Sequence, residues 1–225
     1  MFRAMHTDMT TREGGGRRRA PRRRSQEERR GETQGAVLDA TVECLADLGY
    51  SRTTTTRIAR RAGVSRGALL HYYASKIALL TSAVEHIFRR RMEEFRTAFA
   101  ALPAEVDRRG AAIDLLWGMF SSSTFYAWLE LVVAARSDRK LLREVSRITS
   151  EFADNVLATF RELFPGIAAP GLPLDLVPPF TFAFLQGLAL DRIAIEDDQR
   201  VGELLALLKQ VATVVLGPNP RPAGA

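Results

Sequence analysis

Apolar side chains recur at three- and four-residue spacing along most of the 225-residue chain, which is the period of an amphipathic helix. Leu38, Val42, Leu45 and Leu48 make one such stripe in a first helix predicted from about Gln26 to Leu48, with Asp39, Glu43 and Asp47 outward. Gly49 ends it. Thr54 is expected to cap a short helix that turns Ile58, Ala59 and Ala62 inward and stops at Gly63, because glycine enters a left-handed C-cap without strain. Val64 fills the corner. Ser65 caps another short helix, anchored inward by Leu69 and Tyr73 four residues apart. Ser75 caps a long helix from Lys76 to about Leu102, with Ile77, Leu80, Val84, Ile87, Phe95, Phe99 and Leu102 buried, and Pro103 breaks it.

The same period continues. A helix is predicted over about Val106 to Phe120, with Ile113, Leu116, Trp117 and Phe120, followed by a hinge and cap at Ser121–Thr124. Phe125 to Arg136 is almost wholly apolar, and a helix apolar on every side is expected to be buried on every side. Asp138 caps a long helix to Leu163 with Leu142, Val145, Ile148, Phe152, Val156 and Phe160 on one side. Residues 165–173 read as a loop. Leu174 to Ile195 reads as a helix whose start Pro178 and Pro179 reset. After Asp198 a last helix runs to Leu216, with Leu204, Leu208, Val211 and Val215 in its stripe. About nine helices, with no strand and no repeat, make the chain all-α.

Charge changes this picture. The net charge of +6 is uneven: +6 over residues 1–31, +2 over 32–80 and −2 over 81–225. Excess positive charge in the N-terminal third is the footprint of a nucleic-acid binder. Residues 1–30, rich in Arg and Gly, cannot bury enough apolar surface to fold alone. They read as a disordered arm that lies along phosphates or enters a minor groove, or as a solvated tail. Residues 218–225 read as a disordered tail. The single cysteine, Cys44, sits on an apolar helix face, so it reads as a small buried hydrophobe rather than a redox sensor. No apolar run reaches the length of a membrane span and no signal peptide is apparent, so a cytoplasmic protein without membrane partners is expected.

The two short helices, at about 54–73, have the form of a helix-turn-helix. Rotation at about 100° per residue places Gly67, Ala68 and His71 opposite Leu69 and Tyr73. Leu70 and Tyr72 flank that face, and Arg66 reaches from the helix start. A small, flat face beside cationic and hydrogen-bonding groups suits close approach to a major groove.

This stretch resembles the N-terminal DNA-binding domain of TetR-family transcriptional repressors. The residues that carry the resemblance are Gly49-Tyr50, the threonine pair opening the first motif helix, Ile58-Ala59, Ala62-Gly63-Val64-Ser65, Gly67, Leu69, Tyr72-Tyr73 and Ser75-Lys76. They fall in order without a gap, over roughly residues 33 to 80. The chain departs from the family at Leu70, where many members carry an aromatic phosphate contact, and at Arg57, often acidic there. The resemblance implies a DNA-binding domain over 31–80 and a ligand-binding and dimerisation domain over 81–217. It implies phosphate contact by Thr55, Tyr72 and Lys76, and projection of Thr56 and Arg57 toward DNA. It also implies a groove face of Ser65, Arg66, Gly67, Ala68 and His71.

It further implies a homodimer on a palindromic operator of double-stranded DNA. The wide stripes of the last two helices supply the expected interface at Phe184, Gly187, Leu188, Asp191, Leu204, Leu208, Val211 and Val215, unless both stripes face the chain's own core. The aromatics of 106–163 point to a pocket for a hydrophobic or amphipathic effector. Trp117, Phe120, Phe125, Tyr126, Trp128 and Phe152 are the candidate walls, with Glu130 or Tyr126 orienting a polar end. The competing reading makes these plain core, with Glu130 paired to an arginine. No catalytic, metal or cofactor site is expected: His6, His71 and His86 form no metal-spaced pair, and Gly14–Gly16 follows no strand. A bare architectural DNA binder and a protein–protein adaptor are the alternatives, and binding to promoter DNA separates both from a repressor.

Overall fold

The computed structural model describes residues 26–103, 105–165, 167, 171–195 and 197–217. Residues 1–25 of the expected arm and the tail at 218–225 lie outside them. The described chain is all helical: α1 (Gln26–Arg52), α2 (Thr55–Arg61), α3 (Arg66–Tyr72), α4 (Lys76–Ala100), α5 (Arg108–Phe120), α6 (Ser123–Ala135), α7 (Arg139–Leu163), α8 (Val177–Ile195, after a 3-10 turn at Leu174–Leu176) and α9 (Asp198–Leu216). No described helix is long and apolar enough to cross a membrane.

Local chemistry sets the boundaries. Thr54, Ser65 and Ser75 accept from the amides of Arg57, Ala68 and Ala78 and so open α2, α3 and α4. Asp107, Asp138 and Asp197 do the same for α5, α7 and α9. Each satisfies amides that a helix start leaves without partners. The turn after α2 is a Schellman closure: Val64 N–H donates to Ala59 O at 3.0 Å and Gly63 N–H to Arg60 O at 3.3 Å, with Gly63 at φ 68°. The expected hinge at 121–124 closes differently, since Ser122 leaves the α6 amides alone and donates to Met119 O at 2.6 Å.

Three apolar clusters fill the interior. The first joins Val37 and Leu45 of α1, Ile58 of α2 and Leu69 of α3 to Leu80 and Val84 of α4, and continues into Leu131 of α6 and Leu141 of α7. The second gathers α5, α6, α8 and α9 around Phe125, Leu185 and Leu205. A smaller one packs Phe95 and Phe99 of α4 on Ala112 of α5. Trp128 of α6 packs against both large clusters. The most extensive contact between helices is that of α1 with α6.

Two expectations are corrected. Helix α6 is not buried on every side, because Val133 lies on its solvent face at 54% exposure. The inward register of α7 begins at Leu141 rather than Leu142, since a helix entering at Asp138 turns Leu141, Val145 and Ile148 onto α4 and α6 and leaves Leu142 exposed.

Cys44 is buried, and burial pushes its thiol above the ordinary range. Little thiolate therefore forms near neutral pH, and the sulfur is out of reach. Alkylation by iodoacetamide at pH 8 should run at least about tenfold slower in the native protein than in the denatured chain, as followed by mass spectrometry.

Candidate nucleic-acid interface and internal cavity

Helices α2 and α3 present a shared exposed surface. Leu69 and Tyr73 are buried, which turns Arg66, Gly67, Ala68, Leu70 and His71 outward. Thr56 and Arg57 at the start of α2 are exposed and Thr55 is half-buried. Tyr72 is half-buried, edge-on to His71 at 5.7 Å, with the Arg30 guanidinium 5.4 Å above its ring. The predicted groove face is thus assembled as one surface. Leu70 belongs to it as an exposed apolar group, suited to contact with a thymine methyl.

Three predicted DNA contacts already have intramolecular partners. Ser65 Oγ caps α3 by accepting from Ala68 N–H at 3.1 Å. Arg57 Nη1 donates to Arg52 O at 2.9 Å. Lys76 Nζ donates to Tyr50 O at 2.8 Å and lies 4.2 Å over the Tyr50 ring, and its burial lowers its pKa. Lys76 therefore ties the start of α4 to the end of α1 in this conformation.

That junction is built around Gly49. Its φ of 75° and ψ of 169° fall in a region open essentially to glycine alone. A Cβ at this position would stand 2.8 Å from Glu130 Oε2. The same oxygen accepts from Tyr50 N–H at 2.7 Å. Thr53, fully buried, places its hydroxyl 2.9 Å from Cys44 O and 2.8 Å from Gly49 O, and its single proton is shared between them or given to one. The carboxylate of α6 thus holds the backbone where α1 gives way to the two motif helices. Glu130 was expected to orient a ligand; it instead spends an oxygen on the Gly49–Tyr50 backbone, 80 residues away in sequence. The role of Thr53 follows from the fold alone.

Behind α6 lies a cavity of about 360 Å³. Six aromatic side chains close a ring around it. Their centroids are 4.4 Å apart for Phe88–Phe152, 5.9 Å for Phe152–Phe182 and 5.2 Å for Phe182–Phe120. The ring closes with 5.5 Å for Phe120–Phe125, 6.1 Å for Phe125–Trp128 and 6.4 Å for Trp128–Phe88. Of the predicted wall residues, Phe120, Phe125, Trp128 and Phe152 line the cavity, whereas Trp117, Tyr126 and Glu130 do not. Trp117 and Tyr126 pack on the α5–α8–α9 core instead. Phe88 and Phe182 went unnoticed in the sequence because they come from α4 and α8, which only the tertiary fold brings to this point. Arg91, Asp154, Asp175 and Gln186 supply polar atoms in the wall. The Trp128 indole N–H is buried without a partner among the described residues.

The predicted dimer set divides. Leu188 and Leu208 are buried in the chain's own core, Phe184 and Leu204 are half-buried, and Gly187, Asp191, Val211 and Val215 are exposed. Leu188 and Leu208 are therefore corrected: packing against α5 and α6 leaves them no free surface. The outward stripe carries Leu190, Ile193, Leu207 and Val214.

Residues 37–83 match the family model of bacterial regulatory proteins, tetR family. The HTH-type transcriptional regulator BetI of Escherichia coli is 30% identical over 166 residues, covering 69% of this chain and 84% of that protein. A TetR-family regulator from Rhodococcus sp. superposes with a TM-score of 0.67 at 20% identity, over 83% of this chain and 100% of that one. The regulator FadR of Bacillus subtilis, solved in complex with stearoyl-CoA, superposes at 0.58 and 20% identity, over 81% and 97%.

Arg66→Ala is expected to cost about 1–3 kcal/mol of binding to cognate DNA, the range for bidentate contact with guanine. Titration by fluorescence anisotropy against cognate and scrambled duplexes checks this. An equal loss on both duplexes would reduce Arg66 to a phosphate contact.

Proposed function

We propose that this chain, which belongs to the tetR family of bacterial regulatory proteins and is a transcriptional regulator, works as a repressor that a hydrophobic or amphipathic small molecule releases from a palindromic operator. The observation that carries this reading is the two-sided use of α6. Phe125 and Trp128 line the cavity, while Glu130, about 200° around the helix from Trp128, grips the Gly49–Tyr50 backbone. An occupant that shifts α6 therefore acts on the joint that aims the motif helices. The Bacillus subtilis neighbour holds stearoyl-CoA, and a small molecule in the cavity of this chain is the corresponding proposal.

Thermodynamics sets what the occupant must do. Tight binding shifts nothing by itself; the effector must prefer the conformation whose two α3 helices no longer match the operator. In the DNA-bound form Thr55, Tyr72 and Lys76 hold phosphates, and Arg66, Gly67, Ala68 and His71 lie in the groove. Lys76 exchanges its bond to Tyr50 O for a phosphate or shares it. The long helix α4 serves as a second lever, since it runs from Lys76 at the joint past Phe88 at the cavity.

The homodimer forms through α8 and α9. Their outward stripe of Leu190, Ile193, Leu207, Val211, Val214 and Val215 is exposed in the single chain, and an apolar surface of this continuity is an association site. Two-fold pairing of these helices makes a four-helix bundle, and it demands a two-fold operator.

A thermal-shift screen of apolar compounds, followed by gel shift with each stabilising compound, tests the switch. Stabilisers that never weaken operator binding would sink it. With a working effector, Glu130→Ala is expected to shrink the effector's influence on operator affinity by about tenfold, within the usual range of coupling energies. Effector affinity for the DNA-free protein should change by less than about threefold. Val214, 83% exposed, tests the dimer: Val214→Glu leaves the single fold intact by circular dichroism but yields the 25.0 kDa monomer in light scattering, where the unaltered protein gives a dimer.

A further inference from the structure

A second, narrower chamber adjoins the effector cavity, and the two differ in chemistry. The second chamber measures about 100 Å³ and lies between α4, α5, α7, α8 and α9. Val156, Pro178 and Phe182 wall both chambers, so only these side chains stand between them there. The walls of the narrow chamber are otherwise almost entirely apolar, with Phe95, Ile113, Phe160 and Leu216 among them. The exceptions are Thr159, Thr181 and the one charged residue, Arg109.

Arg109 is 5% exposed, and burying a guanidinium is costly unless its charge is answered. The answer here is incomplete. Nη1 donates to Gly217 O at the end of α9. Nε lies 3.4 Å from Asp107 Oδ1. That carboxylate is half in water and also accepts from the Arg109 and Gly110 amides at 3.3 and 3.1 Å, as the cap of α5. Nη2 takes part in neither bond.

The other charges of the two walls are answered or solvated. Arg91 pairs with Glu94 at 2.8 Å through Nη1 and is partly exposed, although its Nε is buried without a partner among the described residues; Asp175 pairs with Arg161 at 2.7 Å, and Asp154 is exposed. The most deeply buried charge on the two walls is therefore positive and belongs to the narrow chamber.

We propose that the effector is an anion with a bulky apolar body, held with its carboxylate, or an equivalent planar anionic group, against Arg109. This rests on the effector reading of the cavity. The aromatic ring of the wide chamber takes the bulky body. A short linker passes Val156, Pro178 and Phe182. The guanidinium fork meets the anion, for which its planar donors are matched. A cationic ligand of the same shape meets a buried like charge and is rejected. The guanidinium also ties the last carbonyl of α9 to the start of α5, so an anion here touches the fastening of a helix proposed for the dimer.

The test uses 1-pyrenebutyrate, 1-pyrenebutanol and the matching 4-(1-pyrenyl)butylammonium, titrated by fluorescence into the purified full chain. The unaltered protein is expected to bind the acid about tenfold or more tightly than the alcohol, the worth of one charged hydrogen-bonded contact, and the ammonium weakest. Any other order overturns the proposal. Arg109→Gln, which keeps a donor for Gly217 O, is expected to bring acid and alcohol within about threefold while leaving the alcohol unchanged. Retained preference for the acid in this variant also overturns it. Should Arg109→Gln lose all three ligands, Arg91→Gln decides: a surviving acid preference supports Arg109, and its collapse moves the anion to Arg91 and ends the proposal. Gel shift with the bound acid keeps the two readings apart, since acid-selective binding that never releases DNA refutes the effector reading and leaves the anion site standing.

Discussion

The architecture turns on one contact: a carboxylate of α6 against a stretch of backbone that only glycine can form. Gly49 must adopt a positive φ for the chain to leave α1 and enter the motif, and its missing Cβ is what lets Glu130 approach. The approach satisfies the Tyr50 amide at 2.7 Å. Lys76 closes on the carbonyl of the same residue. A single peptide segment is thus held from two helices, one that borders the cavity and one that begins beside the DNA face. A partly buried charge-assisted bond of this kind is stronger and more exacting in direction than a fully exposed pair.

The packing around that contact explains why it can carry a signal. The core of the motif helices does not end at α4; it runs on into α6 and α7. Trp128 belongs at once to that core and to the one built from α5, α8 and α9. Closely packed interiors transmit displacement because they have few voids to absorb it. A void of about 360 Å³ sits on the far side of α6, ringed by six aromatic side chains. Filling it changes what α6 packs against, and the opposite face of α6 meets the joint. Surface ion pairs add little to this; Arg61 with Asp47 and Arg90 with Asp39 fasten α2 and α4 to α1 from partly exposed positions, where such pairs are worth at most about 1 kcal/mol.

Electrostatics separates the two ends of the molecule. Positive charge concentrates at the N-terminal end, where phosphates must be met, and the remainder is slightly negative. Inside that remainder the sign reverses locally at Arg109, whose charge is kept from solvent while the carboxylates near the cavity mouth are not. In the proposed reading, steering toward DNA and discrimination among small molecules rest on different charges in different dielectric surroundings.

The amino-acid sequence by itself determined what depends on neighbours along the chain. Helix period, the caps at Thr54, Ser65, Ser75 and Asp138, and the breaks at Gly49 and Gly63 are local physics, as is the outward face of Arg66, Gly67, Ala68 and His71 once Leu69 and Tyr73 turn inward. Those features were legible residue by residue. The tertiary structure alone decided what depends on which helices meet. It set the side of α9 that is free, turning Leu208 in and Val214 out, because a stripe wider than one face can rotate either way until its partners are in place. It moved Glu130 from an expected ligand contact to a backbone 80 residues distant, since no periodicity reports long-range pairing. It closed the aromatic ring with Phe88 and Phe182 from helices far apart in sequence, and it left Arg109, one arginine of many in the composition, buried beside an apolar chamber. Burial is a property of the assembled fold, and charge acquires its chemistry only where burial removes the water.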